Sequence, residues 1–137
     1  MNISVRIRGL RWELTKGEFN MELGRHLILE LYGCPPEILD SEETIKRVLT
    51  EAVKAANGNI CGVFFHKFNP QGVTGVVVIS ESHISIHTWP EHGYAAVDVF
   101  TCGERMDPWK ACEHIVKNFK PANVNVLEIK RGLLPKK

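Results

Sequence analysis

One stretch constrains this 137-residue chain more than any other: Gly72 to Gly103, GVTGVVVISESHISIHTWPEHGYAAVDVFTCG. It opens on an apolar run from Val73 to Ile79 and breaks at Ser80-Glu81-Ser82-His83. It then alternates, with His83, Ser85, His87 and Trp89 set against Ile84, Ile86 and Thr88. Strand residues two apart share a face, so groups able to move protons line one side of this strand and branched side chains the other. A further strand-like run, Tyr94 to Thr101, delivers Cys102 at its end. Links this short join antiparallel neighbours in one sheet. Hydroxyl, imidazole and thiol are gathered within 21 residues, the inventory of nucleophilic and acid–base chemistry.

The flanking segments supply the other elements. Gly24 to Gly33 reads as a first strand, with Leu27, Leu29 and Leu31 on one face and His26, Ile28, Glu30 and Tyr32 on the other. After Cys34-Pro35-Pro36, Asp40 with Glu43 three residues on predicts a capping-box start. The stripe Ile45, Val48, Leu49, Ala52, Val53 and Ala56 is that of a core-facing amphipathic helix. Asn57-Gly58 closes it, with glycine expected in the left-handed position past the helix end. Ile60 to Phe68 predicts a second strand and Asn69-Pro70-Gln71-Gly72 a turn. Asp107-Pro108 starts a second helix, which runs to Phe119 with Ala111, Cys112, Ile115, Val116 and Phe119 buried and stops at Lys120-Pro121. Asn123 to Lys130 is a last strand and Gly132 to Lys137 a basic tail.

The order β-α-β-β-β-β-α-β predicts an α+β two-layer domain, a mostly antiparallel sheet with both helices on one face. The other sheet face then has no cover from its own chain. Val76, Val78 and the polar ladder cannot all face water, so sheets are expected to pair across a homodimer. Residues 1–20, with Arg6, Arg8, Arg11, Trp12 and Lys16, are expected to form a loosely attached N-terminal arm, the alternative being that synthesis begins at Met21. Residues 21–137 then form the single domain.

Composition narrows the partners. A formal net charge of +1 argues against nucleic acid or an anionic membrane, which call for a basic patch or stripe. No apolar run approaches the roughly 18 residues that span a bilayer, and no secretory signal is visible. Four cysteines without a CxxC pair suit a reduced, cytoplasmic protein. Cys34, Cys61, Cys112, His66 and His114 are expected to serve packing rather than ligation.

With those residues set out, ISESHISIHTWPEHGYAAVDVFTCG, GRHLILELYGC and the DPWKA helix start resemble the prokaryotic S-adenosylmethionine decarboxylases, pyruvoyl-dependent enzymes made as proenzymes. The resemblance covers most of residues 22–130. It implies self-cleavage between Glu81 and Ser82, giving a chain of residues 1–81 and a chain of residues 82–137. Ser82 becomes the pyruvoyl group, the self-made cofactor that holds the substrate as a Schiff base and serves as electron sink. His87 matches the base that abstracts a proton during processing. Cys102 matches the proton donor of turnover; a free thiol, with an ordinary pKa of about 8.5, is mostly protonated at neutral pH. Thr74 stands where the family more often has serine and supports processing, its extra methyl expected to slow the reaction without abolishing it.

The resemblance further implies a substrate pocket with Phe68 and Trp89 as aromatic faces for adenine and the sulfonium, and Glu91 as acceptor for the ribose hydroxyls. S-adenosylmethionine is then the small-molecule substrate, and the product serves spermidine and polyamine synthesis. Two alternatives stand beside this reading: a pyruvoyl-dependent arginine decarboxylase of the same family, and a non-enzymatic metal-binding module using His83, His87 and Cys102. Ser82 and His87 are five apart, which puts them on opposite faces of an undistorted strand; a turn or bulge is expected between them.

Overall fold

A computed structural model describes residues 19–80 and 82–135, the first two by backbone alone. The expected arm lies outside the described residues up to position 18. Strand β1 (Phe19–Tyr32) is followed by a short helix α1 (Pro36–Leu39), helix α2 (Glu42–Ala55), β2 (Ile60–Lys67), β3 (Val73–Ile79) and β4 (Ser82–Trp89). A single 3-10 turn (Pro90–His92) leads to β5 (Tyr94–Cys102), helix α3 (Pro108–Phe119) and β6 (Asn123–Pro135). The six strands form one sheet in the order β2-β3-β4-β5-β1-β6, every pairing antiparallel.

The sheet's two faces follow from strand parity. Leu27, Leu29 and Leu31 of β1 lie opposite Val99, Val97 and Ala95 of β5, which lie opposite Ile84, Ile86 and Thr88 of β4. All nine are buried, and they form one core with Ile45, Val48, Leu49, Ala52 and Val53 of α2 and Ala111, Ile115 and Phe119 of α3. Each fully buried Leu, Ile or Phe contributes about 1.5–3 kcal/mol relative to exposure, so this layer holds the helices on the sheet. Gly75 of β3 has its reason in the layer too, since a Cβ there would come within 2.2 Å of the Phe65 ring. The opposite face carries His26, Glu30, Tyr94, Asp98, His83, Ser85 and His87, with no covering element of its own among the described residues.

Three local expectations are corrected. Ser41, not Asp40, caps α2, its Oγ accepting from the Thr44 amide at 3.1 Å. Asp40 is turned away: it accepts from Lys67 Nζ at 2.8 Å and the Gly72 amide at 2.9 Å. The hydrogen bond from Lys67, then that from Gly72, hold its carboxyl below the usual range. Asn57, with φ +66°, takes the left-handed position rather than Gly58. Gly58 is needed for space, because a Cβ would meet Val53 Cγ1 at 2.9 Å and Met106 Sδ at 3.0 Å. The tail after Lys130 is strand as far as Pro135, because β1 starts earlier than expected and offers Glu22 opposite Leu133 and Met21 opposite Leu134.

Candidate active site

Ser82 opens β4 and Cys102 closes β5, so the antiparallel register brings the two strand ends together. The Ser82 hydroxyl lies 3.4 Å from the Cys102 thiol, both residues half-buried. Beside them a cavity of about 300 Å³ is lined by Asn57, Asn59, Ser80, Cys102, Gly103 and Arg105 among others. Glu81 lies outside the described residues.

His87 stands elsewhere. It pairs across strands with Thr74, whose Oγ1 is 2.9 Å from His87 Nδ1. The expected distortion between Ser82 and His87 is absent: β4 pairs with β3 from Ser82 to His87 and with β5 from His83 to Trp89 without a register shift. A bulge in an internal strand would break ladders on both sides at once. Five residues of undistorted strand separate the two by about 16 Å. Within one chain, then, the imidazole does not reach the serine.

Phe68, Trp89 and Glu91 gather at the His87 end. Trp89 stacks on Tyr94 with ring centroids 5.2 Å apart, and Tyr94 on Tyr32 at 5.4 Å. Phe68 and Trp89 are 46% and 40% exposed, and Glu91 sits in the 3-10 turn, also exposed.

The open face also holds groups that reading by segment passed over. Asp98 lies between His26, whose Nε2 is 2.8 Å from Oδ1, and Ser85, whose hydroxyl donates to Oδ2 at 3.2 Å. The carboxylate rather than the imidazole is in the middle, so these three do not form a nucleophile–base pair. Glu30 accepts from the hydroxyls of Tyr94 and, at 3.3 Å, Tyr32. Burial, then that bond, push the Tyr94 phenol up to about 12. Each acid sits at a polar position of an apolar strand, Glu30 between Leu29 and Leu31 and Asp98 between Val97 and Val99. The parity that exposed the β4 ladder marks these as well.

The remaining candidates divide. Cys34 and Cys112 are buried, with burial pushing the Cys34 thiol up to about 11. Cys61 and His66 are exposed on the edge strand β2, a correction to their assignment as packing residues. His114 lies 3.1 Å from Glu51 Oε2. All four cysteines are free thiols. Among the described residues no three His, Cys, Asp or Glu side chains converge as metal ligands. His83 and His87, about 13 Å apart along β4, do not form the metal site of the alternative reading. No helix among the described residues is long and apolar enough to cross a membrane.

The two-layer fold brings a serine hydroxyl to a thiol and a threonine to an imidazole on the same sheet, groups able to carry nucleophilic and acid–base chemistry. The family model described as S-adenosylmethionine decarboxylase matches residues 25–132. An S-adenosylmethionine decarboxylase proenzyme of Caldicellulosiruptor saccharolyticus is 59% identical over 111 residues, 81% of this chain and 90% of the relative. One of Moorella thermoacetica is 56% identical over 112 residues, 82% and 90% of the two chains. The crystal structure of the adenosylmethionine decarboxylase from Aquifex aeolicus superposes with a TM-score of 0.82 at 39% identity, covering 86% of this chain and 98% of that one. The chain belongs to the S-adenosylmethionine decarboxylase family, and with it to the carboxy-lyases.

Proposed function

We propose that this protein decarboxylates S-adenosylmethionine, the product serving polyamine synthesis, after cutting itself between Glu81 and Ser82. The observation that carries the reading is the contact of the Ser82 hydroxyl with the Cys102 thiol at the meeting of two strand ends. In the self-cleavage, Ser82 Oγ adds to the Glu81 carbonyl and the C–N bond breaks, leaving an ester and an amine. A base takes the Ser82 Cα proton, the Glu81 carboxylate departs from Cβ, and water replaces the nitrogen of the resulting dehydroalanine as ammonia leaves.

The residues present fit a pyruvoyl group made in this way. Residue 82 is half-buried at a strand terminus, beside a thiol and a cavity. Such a group supplies a carbonyl that binds an amine and accepts the electrons freed as carbon dioxide leaves. Cys102 is placed to return a proton near residue 82. Thr74 holds His87 by Nδ1, leaving Nε2 as the nitrogen that takes a proton. The threonine makes this bond with the hydroxyl that serine would use, which supports processing that is slowed rather than lost.

Because one chain keeps His87 about 16 Å from Ser82, we assign the base to a second copy. The open face carries exposed apolar side chains, including Phe64 at 67% and Val78 at 46% exposure. Two such faces related by a two-fold axis running across the strands cover one another. They also lay the His87 end of one sheet over the Ser82 end of its partner. Phe68, Trp89 and Glu91 travel with His87, so each site is built from Ser82 and Cys102 of one chain and the aromatic, acidic end of the other. The exposed aromatic faces suit stacking of a nucleoside base, which arginine lacks, so we favour the nucleoside sulfonium as substrate.

Intact-mass spectrometry of denatured protein tests the cleavage. Two chains are expected, the 56-residue one blocked to Edman sequencing and reactive with borohydride. A single chain that persists on incubation overturns the self-processing reading. Release of carbon dioxide from S-adenosylmethionine and not from arginine is expected, and the reverse preference overturns the substrate assignment.

A further inference from the structure

Three rings stand in a row at the His87 end of the open face. Trp89 closes β4, Tyr94 opens β5 and Tyr32 closes β1. Their planes are nearly parallel, 26° between Trp89 and Tyr94 and 22° between Tyr94 and Tyr32, so the three form one continuous stack. Tyr94 covers one face of the Trp89 indole, which is still 40% exposed. Just before β3, Gly72 adds no side chain to crowd that end of the sheet, and a Cβ there would meet only the Thr88 carbonyl within 4 Å.

All three rings sit at strand ends, where elements fray first. One group ties the stack to firmer ground. Glu30 Oε2 accepts from the phenols of both Tyr94 and Tyr32. Glu30 lies further inside the sheet, its strand paired there with Ala96 of β5 on one side and Asn125 of β6 on the other. Hydrogen bonds to a carboxylate are among the strong ones. Burial, then the bond to Glu30, keep the Tyr94 proton in place far above neutral pH, so the phenol remains a donor.

We infer that Glu30 is a positioning residue for substrate recognition: it fixes Tyr94 against Trp89 so that the uncovered face of the indole stands ready for the adenine base. The inference rests on the substrate reading above and deepens it. Glu30 itself touches no part of the substrate in this assignment. A wall already held in its bound conformation binds more tightly, because its side chains lose no further freedom on association. Such a gain acts on bound substrate and transition state alike, so it is read in KM rather than in kcat.

The test uses the self-processed enzyme. Glu30→Ala is expected to raise the KM for S-adenosylmethionine about tenfold, the scale of ordering one or two side chains, with kcat and the self-cleavage rate near the parent values. Calorimetry with 5′-methylthioadenosine, which has the nucleoside but neither the amine nor the carboxylate, should show the same weakening. Glu30→Gln keeps an oxygen able to accept from both phenols and should recover most of the affinity. In a Ser82→Ala chain that stays whole, adding Glu30→Ala should leave a cooperative unfolding transition. Four results overturn the inference alone. The first is an unchanged KM in E30A, and the second is E30Q as weak as E30A. The third is 5′-methylthioadenosine binding parent and E30A alike, which would put Glu30 on the charged part of the substrate. The fourth is loss of kcat, self-cleavage or cooperative unfolding in E30A, which would make Glu30 a residue of the fold. If the unsubstituted enzyme does not decarboxylate S-adenosylmethionine, the substrate reading falls and takes the inference with it.

Discussion

At the scale of single residues, the uncovered sheet face already sets the state of its own groups. Tyr94 is flanked by Tyr32 and Trp89 and bonded to Glu30, so its phenolate would be partly desolvated beside a negative charge. Burial chiefly, and Glu30 after it, raise its pKa to about 12, and Tyr32 is raised as well. The sign follows by linkage: the folded chain holds this proton more tightly than the unfolded chain. The stabilisation is full below the ordinary tyrosine value of 10.0 and is lost as pH rises from there towards about 12. Tyr94→Phe is expected to flatten the fall in stability over that window, measured by urea denaturation at stepped pH on the S82A chain. An unchanged slope would show that Tyr94 does not carry it. Strand parity marks Glu30 and Asp98, but their pairing could not be read from the sequence, because their partners Tyr94 and His26 lie 64 and 72 residues away in the chain.

At the scale of elements, β4 decides most. It lies between β3 and β5 with unbroken register on both sides, which makes it a rigid ruler holding Ser82 and His87 apart. Helix α2 shows the opposite case, where a local choice was misread by one residue. Both Asp40 and Ser41 are good caps by type; the selection of Ser41 came from Lys67 and Gly72, which engage Asp40 from the end of β2 and the turn after it. Ser41→Ala in the S82A chain is expected to cost about 1 kcal/mol, read from the midpoint of urea denaturation at unchanged slope. A loss near zero would mean that the Thr44 amide finds another acceptor.

The whole molecule raises the question of who supplies the base. If His87 acts on a partner's Ser82, then two chains that each fail alone should succeed together. Ser82→Ala cannot cleave, and His87→Ala is expected to cleave at least a hundredfold more slowly, general-base catalysis being worth about 10²–10⁴. Mixing the two by co-expression should restore cleavage of the H87A chain, with the S82A chain remaining whole, as seen by intact mass. No rescue in mixed dimers shown to form would place the base in the same chain and require β4 to deform.

The two-layer fold was legible in the order of side chains, because strand and helix periods are local properties. So were the chemical inventory of Ser82, His87 and Cys102 and the family to which their setting points. How that inventory is divided emerges only in the packed sheet: Ser82 with Cys102 at one end, His87 with Thr74 five residues along β4. The bulge expected between Ser82 and His87 failed for a non-local reason, since an internal strand answers to two neighbours whose registers are set elsewhere in the chain. Which strand ends meet is likewise a property of the whole sheet, and no single segment records it.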